Sequence, residues 1–330
     1  MSIFPTRVSG PPVGAGVARA VPRVPGRAMA TVAGLSVVAG LSSAVVGLIG
    51  QAWTTTRSIE KAALAAALAD GTLVPPPVPG GTAAQQAVAD HLVHVRLPHG
   101  DGIYRPDGSR VEPSDEPAGR PLTLVMLGDS TSVGYGVRTA DELPGVIVAR
   151  GLAEHLGRPV RLCSHGLTGA RTADLPRQLD LCFADDPAIV VILIGGNDLR
   201  DRVPPWRSAA QLGDAVGTLT GRGVPVVVGT CPDFGVITAI PQPLRSVLST
   251  WSLRLAALQE RAVQAAGGHP VALARLVSPQ FVGHPDFFAA DRFHPSGAGY
   301  GRAMEVIVPA AIAELAGPVA TGEEAPPLSA

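Results

Sequence analysis

The chain has 330 residues, 46% of them apolar and 16% charged, with a formal net charge of -1. That length accommodates one large domain or two small ones, and the apolar fraction suits a packed core with a further hydrophobic segment. A charge so near zero leaves no basic footprint for nucleic acid, and the three cysteines are too few and too scattered for a disulfide framework or a cysteine metal site. Cys163 and Cys182 could still form one bridge outside the cytosol; the default for Cys163, Cys182 and Cys231 is a small buried residue.

Residues 1–27 are rich in Pro, Gly and Arg, a composition that cannot bury a core, so a disordered basic segment is expected. Residues 28–52 contain no charged side chain. As a helix they would extend on the order of 37 Å, enough to cross a bilayer. Arg7, Arg19, Arg23 and Arg27 precede the run, against Arg57 and Lys61 with Glu60 after it, which keeps the N-terminus inside and sends the remainder across. A retained signal anchor is the first reading. Gly50-Gln51-Ala52 keeps a cleaved signal peptide open, and a buried core helix is the third possibility. Either of the first two puts the downstream part outside the cytoplasmic membrane.

Residues 53–120 read as a helix (57–69), a Pro-rich spacer around Pro75-Pro76-Pro77 and Pro79-Gly80-Gly81, and an irregular stretch. A short helix over 83–95 and a turn at Arg105-Pro106-Asp107-Gly108 are its local signals. From residue 121 to 318 strand and helix patterns alternate. Strands are expected at 122–127, 160–163, 188–194, 224–229 and 271–274, because each is a short β-branched or apolar run. Helices are expected at 143–156, 172–182 (with Thr172 as cap), 208–220, 244–266 and 299–316. The alternation implies an α/β fold: a doubly wound, flavodoxin-like parallel sheet with flanking helices, preceded by the N-terminal transmembrane or signal helix. Residues 319–330 read as a disordered tail.

Four clusters stand at the ends of these runs: Gly128-Asp129-Ser130, Gly166, Gly195-Gly196-Asn197-Asp198, and Asp291 with His294 before the last helix. Three of them follow the first three strands, where ligands bind in such sheets. Together they supply a nucleophile, oxyanion donors, a base and a group to orient it, the set that acyl transfer through serine requires. There is no G-x-S-x-G, no H-E-x-x-H and no Walker A pattern, so a nucleophile elbow, zinc proteolysis and phosphoryl transfer are disfavoured.

These blocks resemble the SGNH hydrolase family, the GDSL-type esterases and lipases. Gly128-Asp129-Ser130 resembles the first block, with Thr131 where Leu is common. Ser164-x-Gly166-x-Thr168-Gly169 resembles the second, with Ser164 in place of the usual Asn. Gly195-x-Asn197-Asp198 and Asp291-x-x-His294 resemble the third and last. The resemblance spans about residues 121–316 and implies Ser130 as nucleophile, His294 as general base and Asp291 as its orienting acid. It further implies an oxyanion hole from Ser130, Gly166 and Asn197. Asp291 and His294, three apart, are expected to share one face of a helical turn. For Gly166 a strand-ending turn at positive φ is the structural expectation, and for Asn197 a turn or helix cap. Asp129 and Asp198 are expected to fasten loops. His284 with Asp286 has the wrong spacing, and His91, His94 and His99 could bind a metal, with loose polar-segment histidines the better reading. The expected activity is that of a serine carboxylesterase or lipase-like hydrolase acting on a small-molecule, lipid or glycan ester, with no metal or organic cofactor. An O-acyltransferase with the same groups, or a catalytically silent envelope-anchored scaffold, are the alternatives.

Overall fold

The computed structural model describes residues 98–111 and 119–317. The apolar run at 28–52, the spacer, the helix expected at 83–95 and the C-terminal tail lie outside the described residues. No helix among the described residues is long and apolar enough to cross a membrane.

Six strands form one sheet in the order β1-β3-β2-β4-β5-β6. They are β1 (Gly102–Tyr104), β2 (Leu122–Gly128), β3 (Val160–Ser164), β4 (Ile189–Leu193), β5 (Val226–Gly229) and β6 (His269–Val271). β2 to β6 are parallel, and β1 alone is antiparallel, on the edge beside β3. The five parallel strands run in the flavodoxin-type order. The chain is thus α/β with a mostly parallel sheet, and β1 is contributed by the stretch read from sequence as irregular. β1 continues into a hairpin, where Gly108 donates to the Arg105 carbonyl at 2.9 Å and Tyr104 bridges Arg110.

The sheet is covered on both faces, which explains why its central strands read as unbroken apolar runs. Leu124 and Met126 of β2, with Ile189 and Val191 of β4, face one core; Val125 and Leu127, with Val190 and Ile192, face the other. The first core is closed by α2 (Pro144–Leu156) and α8 (Gly297–Ala316) through Val146, Leu152, Tyr300 and Ile307. The second is closed chiefly by α3 (Leu175–Ala184), α5 (Pro205–Thr220) and α6 (Leu244–Ala265) through Leu175, Leu179, Leu212, Val216 and Val263. Three shorter helices, α1 (Ser130–Val133), α4 (Gly196–Arg200) and α7 (Leu273–Leu276), follow β2, β4 and β6 and were not legible in the pattern.

Two sequence expectations shift. The apolar pattern puts the last strand at 271–274, but β6 occupies His269–Val271, because its register pairs Val227 with His269 and Gly229 with Val271 and it ends where β5 ends. The 273–276 segment is helical instead. Thr172 is not a cap: it opens a 3-10 turn before α3, fully buried, and its N–H and Oγ1 both donate to Asp198 Oδ2 at 3.0 Å.

Candidate active site

The carboxyl end of β2 is built around a residue that only glycine can be. Gly128 has φ +134° and sits opposite Leu193 of β4; a Cβ there would lie 1.9 Å from the Leu193 carbonyl oxygen. The strand then turns, and Asp129 caps α1 by accepting the Thr131 N–H at 2.9 Å. This leaves Ser130 at the first position of α1, 9% exposed, directly above the sheet.

His294, 164 residues away, comes to it. Its Nε2 lies 3.0 Å from Ser130 Oγ, and its Nδ1 lies 2.6 Å from Asp291 Oδ2. Asp291 is buried, and its other oxygen, Oδ1, accepts the N–H groups of Phe293 at 2.9 Å and His294 at 3.0 Å. The expected helical turn is absent. Arg292 adopts the left-handed region at φ +57°, uncommon for a residue with a side chain, and this tight loop folds the two N–H groups back onto the carboxylate. Burial pushes the Asp291 carboxyl upward, but the hydrogen bond and charge of His294, with the two N–H groups, outweigh it and hold the acid below its ordinary range. An ionised carboxylate so placed fixes the orientation of the imidazole, and the imidazole is within reach of the serine proton.

Gly166 and Asn197 lie in the connections after β3 and β4. Gly166 is not at positive φ, contrary to the turn expected from sequence. Glycine is required there because a Cβ would lie 2.1 Å from Ser132 Oγ, whose hydroxyl donates to the Asp129 carbonyl. Asn197 Nδ2 donates to the Ala170 carbonyl at 2.9 Å, which orients the amide and leaves its second hydrogen without an acceptor among the described residues. The N–H groups of Ser130 and Gly166 donate to no backbone or side-chain acceptor among the described residues. Ser164, standing where the family's Asn is usual, is exposed. The loop it precedes is tied down by Leu167 N–H to the Gly128 carbonyl at 3.0 Å and by the Asn197 bond to Ala170.

Asp129 and Asp198 are loop fasteners, as expected. Asp129 binds Thr131 and the Gly195 N–H; Asp198 binds Thr172 and Ser208. Burial raises the carboxyls of both above the ordinary range, against those hydrogen bonds. A carboxyl raised on folding lets the unfolded state ionise first, so stability falls as pH rises from the ordinary aspartate range through the raised value. Asp198→Asn is therefore expected to flatten this fall, measured by urea unfolding at steps between pH 4 and pH 7; an unchanged slope would remove Asp198 as its source. Asp291 works the other way: its contribution is complete above the ordinary range and is lost as pH falls through its lowered value.

His284 and Asp286 form a separate exposed pair at 3.8 Å. All three cysteines are buried and free, and burial pushes the Cys163 and Cys182 thiols up to about 11 and about 12, so neither is a nucleophile at neutral pH.

Three residues that sequence reasoning missed shape the site. Gln178 of α3 grips the end of β2, accepting the Gly128 N–H at 2.7 Å and donating to its carbonyl at 2.9 Å. Gln259 of α6 likewise bridges the ends of β4 and β5, donating to Ile194 O at 3.1 Å and accepting from Cys231 N at 2.8 Å. Their only signal was a glutamine on the apolar face of each helix. Tyr135 lies against the His294 ring, 4.5 Å between centroids, and its own carbonyl accepts the Tyr300 hydroxyl at 3.0 Å.

Residues 126–302, more than half of the chain, match the GDSL-like Lipase/Acylhydrolase family. The chain is 44% identical over 213 residues to the GDSL-like esterase Rv1075c of Mycobacterium tuberculosis, covering 64% of this chain and 68% of that protein. Among solved structures it is similar to TesA, at 21% identity and a TM-score of 0.47 over 57% of this chain and 97% of that one. It is also similar to a lipase/acylhydrolase from Enterococcus faecalis, at 24% identity and a TM-score of 0.47 over 57% of this chain and 94% of that one. With its four blocks inside the matched region, the chain belongs to the GDSL-like lipase/acylhydrolase family of serine ester hydrolases.

Proposed function

We propose that the protein is a carboxylesterase that works through an acyl-enzyme on Ser130. The observation that carries this reading is the unbroken line Ser130 Oγ, His294 Nε2, His294 Nδ1, Asp291 Oδ2, at 3.0 and 2.6 Å. In the first step His294 takes the Ser130 proton as the oxygen attacks the ester carbonyl, then returns it to the leaving alcohol. Asp291 holds the imidazole and stabilises its charged form. The developing alkoxide is met by the Ser130 and Gly166 N–H groups and the Asn197 amide, each donor lowering the barrier by about 3 kcal/mol. Water, activated by the same imidazole, then releases the acid, a sequence that calls for neither metal nor organic cofactor. The substrate is a small-molecule, lipid or glycan ester.

The similarity to a protein named a GDSL-like esterase supports the same reading. The uncharged run at 28–52 supports a tether that holds the domain at the outer side of the cytoplasmic membrane. Fluorophosphonate labelling of the full chain, with peptide mapping, tests the chemistry. The expected result is a label on Ser130 that disappears in His294→Ala. An unlabelled Ser130 in folded protein would sink the assignment and turn the reading to a silent scaffold on the same sheet.

A further inference from the structure

We propose that the carboxyl-end face of the sheet, around the Ser130 site, docks on the surface of an anionic lipid bilayer; the inference rests on the membrane tether proposed above. Two independent observations carry it. The first is where the N-terminal chain arrives. β1 runs opposite to β3, with Gly102 beside Leu162 and Tyr104 beside Val160. The residues before Gly102 therefore come in along the carboxyl end of β3, and Gly100 packs against Leu143 and Val146 at the start of α2. Residues 1–97, including the uncharged run at 28–52, are thus joined to the domain at the end that holds Ser130, His294 and Gly166. A tether attached there lets that end face the membrane without the 53–97 spacer having to pass around the domain.

The second observation is what this end exposes. Four large apolar side chains in its connections are open to solvent: Leu167 after β3, Trp206 after β4, and Leu276 and Val282 after β6, at 56%, 66%, 45% and 66%. Leu167 adjoins Gly166. The connections are in mutual contact: Arg171 lies 3.7 Å from Asp201, and the Asp233 N–H donates to Ser278 Oγ at 3.0 Å. The Phe234 ring meets Phe293 edge-on at 5.8 Å. Exposed Arg202 and Arg207 flank Trp206, and exposed Arg292 sits between Asp291 and His294. A tryptophan among arginines suits the headgroup layer, where an amphipathic ring finds both its media and cations meet anionic phosphates. A soluble protein partner would also cover apolar side chains, but would leave unexplained why the tether arrives at the same end.

The test uses the full chain in vesicles of phosphatidylglycerol and phosphatidylcholine. Trp53→Phe and Trp251→Phe leave Trp206 as its one tryptophan. With brominated acyl chains, Trp206 emission is expected to fall by about half or more, as for a ring seated at the interface. Arg202→Glu with Arg207→Glu should abolish most of that quenching, the docked population dropping about fivefold for each arginine lost. Hydrolysis of a water-soluble short aryl ester should be unchanged by the same pair. Equal emission in brominated and plain vesicles would overturn the proposal. So would protection of Trp206 from aqueous acrylamide without bromolipid quenching, which means a protein or a second copy covers it. Bromolipid quenching in protein that fails to hydrolyse the aryl ester would support docking while removing the esterase reading.

Discussion

Ser130→Ala is expected to lower kcat by about ten-thousand-fold or more, with KM for a soluble aryl ester little changed. The hydroxyl forms the bond that divides the reaction into two steps, and no other side chain of the site can take its place. What remains should come from the oxyanion donors, which are untouched by the substitution. Stability should stay within about 1 kcal/mol of the parent. The lost oxygen bonds one partner, His294 Nε2 at 3.0 Å, and that ring is partly open to water that can replace it. Steady-state kinetics and thermal unfolding of the same preparation decide the matter. Activity within tenfold of the parent would show that Ser130 is not the nucleophile.

Gly128→Ala is expected to destabilise the fold by about 4 kcal/mol or more, enough to prevent recovery of folded protein. Its φ of +134° is strained for any residue with a Cβ. The added carbon would meet the Leu193 carbonyl oxygen at 1.9 Å and the Leu193 carbonyl carbon at 2.7 Å. Neither can move away, because both are backbone of β4 and that oxygen accepts the Asp129 N–H at 3.0 Å. Gly169→Ala is the matched comparison. Its φ is +84°, but nothing lies within 4 Å of the added carbon, so only the conformational cost of about 1 kcal/mol applies. Urea unfolding of both variants separates steric conflict from φ strain. A Gly128→Ala protein as stable as Gly169→Ala would show that the β2–β4 contact yields to the added carbon and would overturn the steric argument.

The asymmetry between these two glycines shows where sequence reasoning stops. Gly128 and Gly169 are equally plain in the chain, each standing in one of the four blocks, and only packing separates them. Gly166, where the sequence suggests a strand-ending turn at positive φ, needs none; its constraint is a hydroxyl from Ser132. Gln178 and Gln259 interrupt the buried, apolar faces of α3 and α6. They are the amides that hold the strand ends from which Ser130 and Asn197 are presented.

What the sequence by itself determined is local and periodic. Apolar runs of strand length between helical patterns required a parallel sheet covered on both faces, and the order of four short blocks placed Ser130, Gly166 and Asn197 at its carboxyl end, with the Asp291–His294 pair before the last helix. Tertiary structure alone decided the partners: β1 as an antiparallel edge, β6 two residues earlier than its pattern suggested, the left-handed Arg292 that turns Asp291 onto His294, and Tyr135 against the imidazole. The physical reason is distance along the chain. Periodicity reports which face a residue buries within its own element, whereas Gly128 with Gln178, or Ser130 with His294, meet only after loops of 50 and 164 residues have closed.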